Sequence, residues 1–200
     1  MAKIAIVYHS GYGHTKKQAQ AVCDGVNRVA GTACELISID GEGVIDDADW
    51  KSLDAADAII FGTPTYMAAP SWQMKRFIDD TSKRWYTQTW KDKLAGAFTN
   101  SGSMNGDKGM TVGALFAFAM QHGMIWVGLD LPPGYNSSTS SPDSLNRVGA
   151  SLGAMSQSNA DQPADLVPPE SDLKTAAHLG ARVATVAQAL AGTTLSPSGV

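Results

Sequence analysis

The sequence predicts an α/β fold: a doubly wound five-stranded parallel sheet flanked by helices. Two observations support this prediction. Short apolar segments alternate five times with segments of helical periodicity along the 200 residues, which is typical of parallel strands joined by right-handed crossovers. A single glycine-rich turn follows the first strand, and this fits the strand order 2-1-3-4-5 better than the six strands of two mononucleotide-binding halves.

The first elements alternate as this fold requires. A strand is predicted over Lys3–His9, a helix over Thr15–Asn27 and a second strand over Ala33–Ile39. The first strand is continuously apolar at its centre, as in a parallel strand that is covered on both faces. Cys23 lies on the apolar stripe of the helix, so we expect a core residue and not a reactive thiol. The acidic segment Gly41–Asp54 is expected to be irregular.

The turn between the first strand and the first helix predicts a phosphate cradle. Free amides and the dipole at a helix N-terminus attract an anion. Gly11 and Gly13 allow positive φ angles and close approach of the backbone. Ser10 and Thr15 flank the turn and add two hydroxyl donors. Such a cradle has little need of a cation.

The kind of phosphate stays open at this level. The turn lacks the Gly-Lys-Ser/Thr of a P-loop, which argues against a nucleoside triphosphatase. Residues 14–16 supply no third glycine for a dinucleotide site, although Asp40 after the next strand could serve as the ribose-binding acid. The hydroxyl-rich turn suits a phosphate monoester better. In a purely structural alternative, Ser10 only caps the helix.

The remaining strands are short apolar segments at Ala58–Gly62, Leu94–Asn100 and Met124–Leu129. Helices predicted over Ser71–Lys83 and Met110–Gln121 separate them. The second of these helices is apolar nearly all round, so it must be buried on more than one side. A subunit interface could supply the second cover.

Two segments lack a clear helical or strand pattern. The stretch 84–92 carries two tryptophans and a tyrosine among polar residues, which suggests a pocket wall, a contact surface or the cover of a small satellite core. Pro132–Pro169 is rich in Ser, Gly, Asn and Pro, and loops of this length are usually functional or disordered. A final helix is expected from Glu170, directly after two prolines.

Three hydroxyl-rich turns follow the carboxyl ends of predicted strands, at Ser10–Thr15, Thr63–Met67 and Thr99–Asn105. Pro64 is expected to end its strand and to fix the loop. Ligands of open parallel sheets bind beyond the carboxyl ends of the strands, at the point where the strand order reverses. The first turn should therefore hold a phosphate, and the other two should embrace the rest of a flat ligand with polar edges.

The composition argues against several classes of function. A formal net charge of −4 argues against a general nucleic-acid binder. Cys23 and Cys34 form no metal-binding or redox motif, so we expect a reduced, cytoplasmic protein. No signal peptide is recognised, and no apolar stretch approaches the ~20 residues that span a bilayer, so no membrane partner is expected. One domain is predicted over residues 1–192, with a frayed tail at 193–200.

Several motifs together resemble one known family. They are Y-H-S-G-Y-G-H-T at 8–15, G-T-P-T at 62–65, D-T at 80–81 with Trp85, T-N-S-G-S at 99–103 and Q-H-G-M at 121–124. This combination is similar to the WrbA-type NAD(P)H:quinone oxidoreductases of the flavodoxin superfamily. The resemblance runs from the N-terminus to the last helix. It implies a flavodoxin-like domain that binds FMN non-covalently and assembles as a homotetramer.

The resemblance also implies site residues by position. FMN contacts are expected from Ser10, Gly11, Tyr12, Gly13, His14, Thr15, Pro64, Thr65, Tyr66, Met67, Thr99, Asn100, Ser101, Gly102, Ser103, Met104 and His122. His122 is the expected catalytic residue near the flavin, contributed across a subunit boundary. Tyr12, Trp85 and Tyr135 are expected to contact the substrate. Where the family often has Arg-Phe-Gly-Asn, this chain has Tyr-Met-Ala-Ala at 66–69, so the shape of the pocket differs there.

The implied activity is two-electron reduction of small quinones by NAD(P)H through FMN, in a ping-pong cycle. Three alternatives belong to other classes. They are a flavodoxin-type electron carrier, an NAD(P)H:FMN reductase that releases its flavin, and a tetrameric scaffold without catalysis. Carriers usually dock through strongly acidic patches, which the modest net charge disfavours.

Overall fold

A computed structural model describes residues 1–193 and residue 195; the rest of the predicted C-terminal tail lies outside the described residues. The strands are β1 (Ala2–Tyr8), β2 (Thr32–Ser38), β3 (Ala58–Tyr66), β4 (Ala69–Pro70), β5 (Leu94–Ser101), β6 (Ile125–Trp126) and β7 (Ala154–Gln157). The helices are α1 (His14–Asn27), α2 (Asp47–Ala55), α3 (Trp72–Asp80), α4 (Ser82–Tyr86), α5 (Lys108–Gln121) and α6 (Glu170–Leu190). No helix of the described residues combines the length and the apolar character needed to cross a membrane.

The sheet confirms the predicted strand order. Its main path is β2-β1-β3-β5-β6, and these pairings are parallel. The fifth position is shared by two short strands along one edge of β5, because β6 pairs with its beginning and β7 with its end. Residues 127–153 form an insertion between them. The predicted strand Met124–Leu129 is thus only two residues long, and the predicted loop Pro132–Pro169 contains β7.

The two faces of the sheet are covered by chemically different cores. Beneath α1 and α6 the buried side chains are mostly aliphatic, among them Ile4, Val22 and Leu179. On the opposite face, α2, α3 and α5 cover an aromatic cluster that includes Phe61 and Trp90. Trp90 is fully buried, with its ring centroid 6.4 Å from that of Phe61. It therefore belongs to the main core, and the expectation that it lines a pocket or a contact surface is wrong.

The third strand runs farther than its sequence suggested. Pro64 does not end β3, which continues to Tyr66 and turns back as a short hairpin with β4. Pairing with β1 stops at Gly62. Backbone groups alternate between the two sides of a strand, so Pro64 faces the same side as Gly62, two residues earlier. On that side β1 has already ended, and the missing N–H of Pro64 therefore costs no hydrogen bond of the sheet.

Two helical predictions also change. The segment expected to be irregular contains α2, whose N-terminus is capped by the Asp46 carboxylate accepting from the Asp49 amide at 2.8 Å. The helix expected over Ser71–Lys83 divides at Thr81 into α3 and α4. The Thr81 hydroxyl donates to the Ile78 carbonyl at 2.7 Å, and this local bond accompanies the break.

A disulfide joins Cys23 of α1 to Cys34 of β2. Cys23 is buried as predicted, but the expectation of two reduced, unpaired cysteines is wrong, since no free cysteine is found in the described chain. The two residues are 11 positions apart and form no local motif. Their sulfurs meet because α1 packs back against the sheet beside β2.

Candidate functional site

Four segments converge at the carboxyl edge of the sheet, at or just beyond the ends of β1, β3, β5 and β7. They enclose a cavity of about 680 Å³, a volume typical of cofactor and ligand sites. Its lining consists of Tyr12, His14, Thr15, Pro64, Thr65, Tyr66, Asn100, Ser101, Gly102, Ser158, Ala160, Asp161, Gln162 and Pro163. Among these described residues none is lysine or arginine. The polar part of the lining consists mainly of hydroxyls and amides, together with the His14 imidazole and the Asp161 carboxyl group, and Tyr12 and Tyr66 supply aromatic rings.

The turn after β1 leaves helix amides free. The Ser10 hydroxyl oxygen accepts from the amides of Gly13 and Lys16, each at 3.1 Å. Gly13 has φ = 88°, a left-handed conformation that glycine adopts without strain. The amides of His14 and Thr15 have no partner within the described chain. These two amides lie at the positive end of the α1 dipole and beside the cavity, where they can bind an anion.

Aromatic residues stand at the rim above this turn. The rings of Tyr12 and Tyr66 meet edge to face, with centroids 6.3 Å apart. Gly11 makes this close contact with the hairpin possible, because a Cβ there would lie 2.7 Å from the Tyr66 hydroxyl oxygen. Burial, together with Tyr12, raises the pKa of the Tyr66 phenol, which thus stays protonated at neutral pH.

Threonine hydroxyls form the floor of the site. The Thr65 hydroxyl contacts the hydroxyls of Thr99 and Thr111, each at 2.8 Å, and the Thr99 hydroxyl donates to the Thr63 carbonyl at 2.6 Å. Thr65 lines the cavity, whereas Thr99 is fully buried below it. Thr99 was expected to contact the ligand directly, but its hydroxyl is used to tie β3 to β5.

A wall that sequence reasoning missed follows β7. The Asn100 side-chain amide donates to the Ser158 hydroxyl at 2.8 Å, and the His14 ring nitrogen Nε2 lies 2.9 Å from the Gln162 carbonyl oxygen. These contacts place residues 158–163 across the cavity from the hairpin. The signal available was the unusual length of the 132–169 loop, but β7 is too short and polar to be recognised as a strand.

The remaining predicted residues lie beside the cavity or away from it. Ser10, Gly11 and Gly13 shape the turn without lining the cavity, and Ser103 and Met104 lie on the exposed part of the β5–α5 turn. Met67, at the tip of the hairpin, is 99% exposed. Trp85 on α4 and Tyr135 in the insertion are also exposed and are not part of the lining.

His122 lies away from the cavity. It follows α5 at the opposite edge of the sheet, is 5% exposed, and packs against the rings of Trp90 and Phe118 at centroid distances of 4.9 Å. Its Nε2 contacts the Thr81 hydroxyl at 3.0 Å, and its Nδ1 is buried without a partner in the described chain. Burial lowers the pKa of this imidazole, so it is neutral at pH 7.

The donor set of the cavity fits a flavin mononucleotide. Two free amides and the Thr15 hydroxyl suit a phosphate monoester at the start of α1. The polar groups of Asn100, Ser101 and Gly102 suit the hydrogen-bonding edge of a flat heterocycle, and the tyrosine rim suits its ring face. These groups all occur in one cavity, at the edge where the strand order reverses.

Known proteins similar to this chain carry names of two kinds, flavodoxin and NAD(P)H dehydrogenase (quinone). A model of the family described as NADPH-dependent FMN reductase matches residues 48–130. The flavodoxin FldP of Pseudomonas aeruginosa is 46% identical over 190 residues, covering 95% of this chain and 99% of that protein. An NAD(P)H dehydrogenase (quinone) of Archaeoglobus fulgidus is 35% identical over 208 residues, covering 95% and 100%.

A solved structure is also similar over nearly the whole chain. It is the crystal structure of the flavodoxin, WrbA-like protein from Agrobacterium tumefaciens, with a TM-score of 0.74 and 43% sequence identity. The match covers 94% of this chain and 99% of that one. Fold and sequence similarity thus extend together over the same length.

Proposed function

This chain belongs to the WrbA-type family of the flavodoxin superfamily, and on that premise we propose that it reduces small quinones with NAD(P)H by a two-electron, ping-pong reaction. The family assignment makes it an FMN-dependent oxidoreductase. The proposal concerns the electron acceptor and the order of the two half-reactions. The observation that supports it best is the open cavity whose rim carries Tyr12 and Tyr66.

In this proposal each wall of the cavity has one task. The amides of His14 and Thr15 and the Thr15 hydroxyl hold the cofactor phosphate, with the α1 dipole in support. Asn100, Ser101 and Gly102 orient the polar edge of the ring system. When bound, FMN accepts a hydride from the nicotinamide and passes two electrons to the acceptor.

The two tyrosines of the rim have different tasks: Tyr66 packs beside the flavin ring, and Tyr12 stacks on the substrates. Aromatic stacking contributes ~0.5–1.5 kcal/mol per pair beyond the area buried, so Tyr12 favours flat ligands such as nicotinamide and benzoquinone. Both ligands need the same open face of the site. We infer that they occupy it in turn, which gives ping-pong kinetics.

Stopped-flow absorbance tests the reaction order. The FMN-loaded protein is mixed with NADH or NADPH, and benzoquinone is added in a second mixing step. We expect the flavin absorbance to bleach and then return, with the flavin still bound to the protein after gel filtration. Loss of the flavin during turnover would favour the FMN reductase alternative.

An electron carrier is the second candidate, and a specific finding favours it: a relative with 46% identity is named a flavodoxin. A carrier receives its electrons from a partner protein and has no need of a nicotinamide site. If the bound flavin stays oxidised with millimolar NADH and NADPH, the carrier replaces the quinone reductase as the proposed function.

We also propose a homotetramer. The outer face of α5 is apolar and exposed at Met110, Ala114, Ala117 and Met120, and exposed apolar patches mark interfaces. Trp85 and Tyr135 are then proposed to contact substrate bound in a neighbouring subunit. His122 is too enclosed for such a contact, so the proposal gives it no catalytic role.

Light scattering tests the tetramer. The FMN-loaded protein at micromolar concentration should have a mass near four times the 21.0 kDa of one chain. Met110→Glu should shift the mass toward smaller assemblies, because it places a charge in the proposed interface. A mass near 21.0 kDa for the unchanged protein would contradict the proposal.

A further inference from the structure

A buried lysine anchors the β5–α5 turn (residues 101–107). Lys108, the first residue of α5, is fully buried. Its ammonium donates to the Ser101 hydroxyl at 2.8 Å, the Ser103 carbonyl at 2.9 Å and the Met104 carbonyl at 2.8 Å. A lysine ammonium has three protons. All three are therefore used to hold this one turn.

The backbone of the turn is folded around this lysine. Gly106 and Asp107 adopt left-handed conformations, with φ of 55° and 53°, so the chain doubles back and brings the start of α5 over Ser101. A Cβ at Gly106 would lie 2.3 Å from the Ser101 hydroxyl oxygen. The lysine cage and the wall of the cavity share Ser101, which lines the cavity beside Gly102.

The three hydrogen bonds also set the direction of the free amides. In a trans peptide the carbonyl and the following N–H point in opposite directions. The carbonyls of Ser103 and Met104 point inward to the ammonium, so the amides of Met104 and Asn105 point away from it. These two amides have no partner in the part of the chain that the structure describes. They remain available to a ligand.

We propose that Lys108 is a positioning residue for the flavin: its buried ammonium holds the turn in the shape that presents Ser101, Gly102 and the free amides to the polar edge of the ring. The inference rests on the proposed FMN site and deepens it. Lys108 acts through the turn, since it is not among the residues that line the cavity.

Charged groups from two other elements act on this ammonium. Burial lowers the pKa of Lys108 from its ordinary 10.5 to about 8; Asp172 of α6 opposes this shift and Arg147 of the insertion adds to it. Asp172 and Arg147 are themselves a buried ion pair at 2.7 Å. A neutral amine donates only two hydrogen bonds. The turn therefore loses one of its three anchors as the pH rises through about 8.

The test compares Lys108→Met and Lys108→Gln with Lys93→Met as a matched control. Lys93 also has a pKa lowered by burial and donates to two backbone carbonyls, of Asp54 and Ala56. It lies at the start of β5, at the edge opposite the cavity. NMR order parameters of the backbone amides of residues 101–107 are measured in the FMN-free protein, and the FMN dissociation constant is measured by fluorescence quenching between pH 7 and 9.

We expect Lys108→Met to lower the backbone order parameters of the turn and to raise the FMN dissociation constant about tenfold at pH 7. Lys108→Gln should fall between this variant and the unchanged protein. The unchanged protein and Lys93→Met should bind FMN severalfold more weakly at pH 9 than at pH 7. Lys108→Gln should show no such dependence, because a glutamine does not titrate in this range.

Two outcomes overturn the inference while the proposed function stands. One is that the FMN affinity and the backbone order parameters of the turn in Lys108→Met equal those of Lys93→Met. The other is a constant FMN affinity of the unchanged protein from pH 7 to 9, which decides the matter even if both Lys108 variants fail to fold. If the unchanged protein does not bind FMN at any pH, the proposed function and the inference both fail.

Discussion

The two turns that flank the cavity are held in different ways. The β1–α1 turn (residues 9–13) is stabilised by a neutral side chain, since the Ser10 hydroxyl accepts two backbone amides. The β5–α5 turn is held by the buried ammonium of Lys108, which binds one hydroxyl and two carbonyls. One turn is organised around an acceptor and the other around a donor.

The difference follows from what each turn offers to a ligand. The first turn leads into a helix whose free amides and dipole attract an anion, so Gly13 and the Ser10 hydroxyl are enough to shape it. In the proposed site, the second turn faces a ligand edge that carries both donors and acceptors. An internal cation that draws two carbonyls inward leaves the opposite amides free. Substitutions in either turn test this difference.

The largest expected effect is on the pH dependence of the free energy of unfolding, which changes because the ammonium of Lys108 is buried. Its folded-state pKa of about 8 is lower than the ordinary 10.5. Between these values the unfolded chain binds more protons than the folded one, so the free energy of unfolding rises with pH. The full difference corresponds to about 3 kcal/mol. Relative to Lys108→Met, the unchanged FMN-free protein should therefore gain up to this amount between pH 7 and 10.5.

Urea unfolding of both proteins across this range measures the gain. The comparison of unchanged protein with variant cancels the similar contribution of Lys93, which both proteins retain. A difference in unfolding free energy that stays constant with pH would show that the Lys108 ammonium is not destabilised by burial.

The next effect concerns the first turn. The double change Ser10→Ala, Thr15→Ala should weaken FMN binding by ~1–3 kcal/mol, because it removes one hydroxyl donor to the phosphate and the acceptor that orders the turn. Fluorescence titration of FMN measures the loss. Thr87→Ala, Thr89→Ala is the control, since this exposed hydroxyl pair lies far from the cavity. Equal FMN affinities of the two double variants would contradict the assignment of the phosphate site to this turn.

A third turn at the cavity, the β3–β4 hairpin, carries backbone strain at two consecutive residues other than glycine. Its tip residues Met67 and Ala68 have φ of 49° and 64°, a conformation that favours glycine or asparagine. Ala68→Gly should raise the free energy of unfolding by about 1 kcal/mol. Ala69→Gly, in the adjoining strand β4, should lower it instead. Thermal unfolding of the two variants would contradict this if both shifted the same way.

The smallest effect on the cofactor is expected at His122, which belongs to neither turn. His122→Ala should leave FMN affinity and flavin reduction within about twofold of the unchanged protein, and should cost ~1–3 kcal/mol of stability through a cavity beside Trp90. Parallel measurements of FMN binding and urea unfolding separate the two. A selective loss of quinone reduction without loss of stability would contradict this prediction and indicate a catalytic role for His122.

The sequence by itself was sufficient for the features that depend on local pattern. Continuous apolar segments alternating with helical periodicity predicted the parallel sheet and its strand order, and Ser10–Thr15 predicted the turn that leaves amides free at the start of α1. Phosphate binding at this turn stays a prediction. Of the segments that line the cavity, those after β1, β3 and β5 were predicted. Each of these segments is marked by residues that lie close together in the chain, so turn-forming residues and hydrophobic periodicity are enough to predict it.

Only the tertiary structure decided the features that join distant residues. The wall at 158–163 depends on contacts such as Asn100 with Ser158, 58 positions apart, and His14 with Gln162, 148 positions apart. Lys108 is polar and begins a helix, so its burial cannot be read from its neighbours in sequence. His122 matched a motif, yet packing against Trp90 encloses it at the other edge of the sheet. Periodicity reports which face of an element is buried, whereas the partner of that face is set by how the whole chain folds.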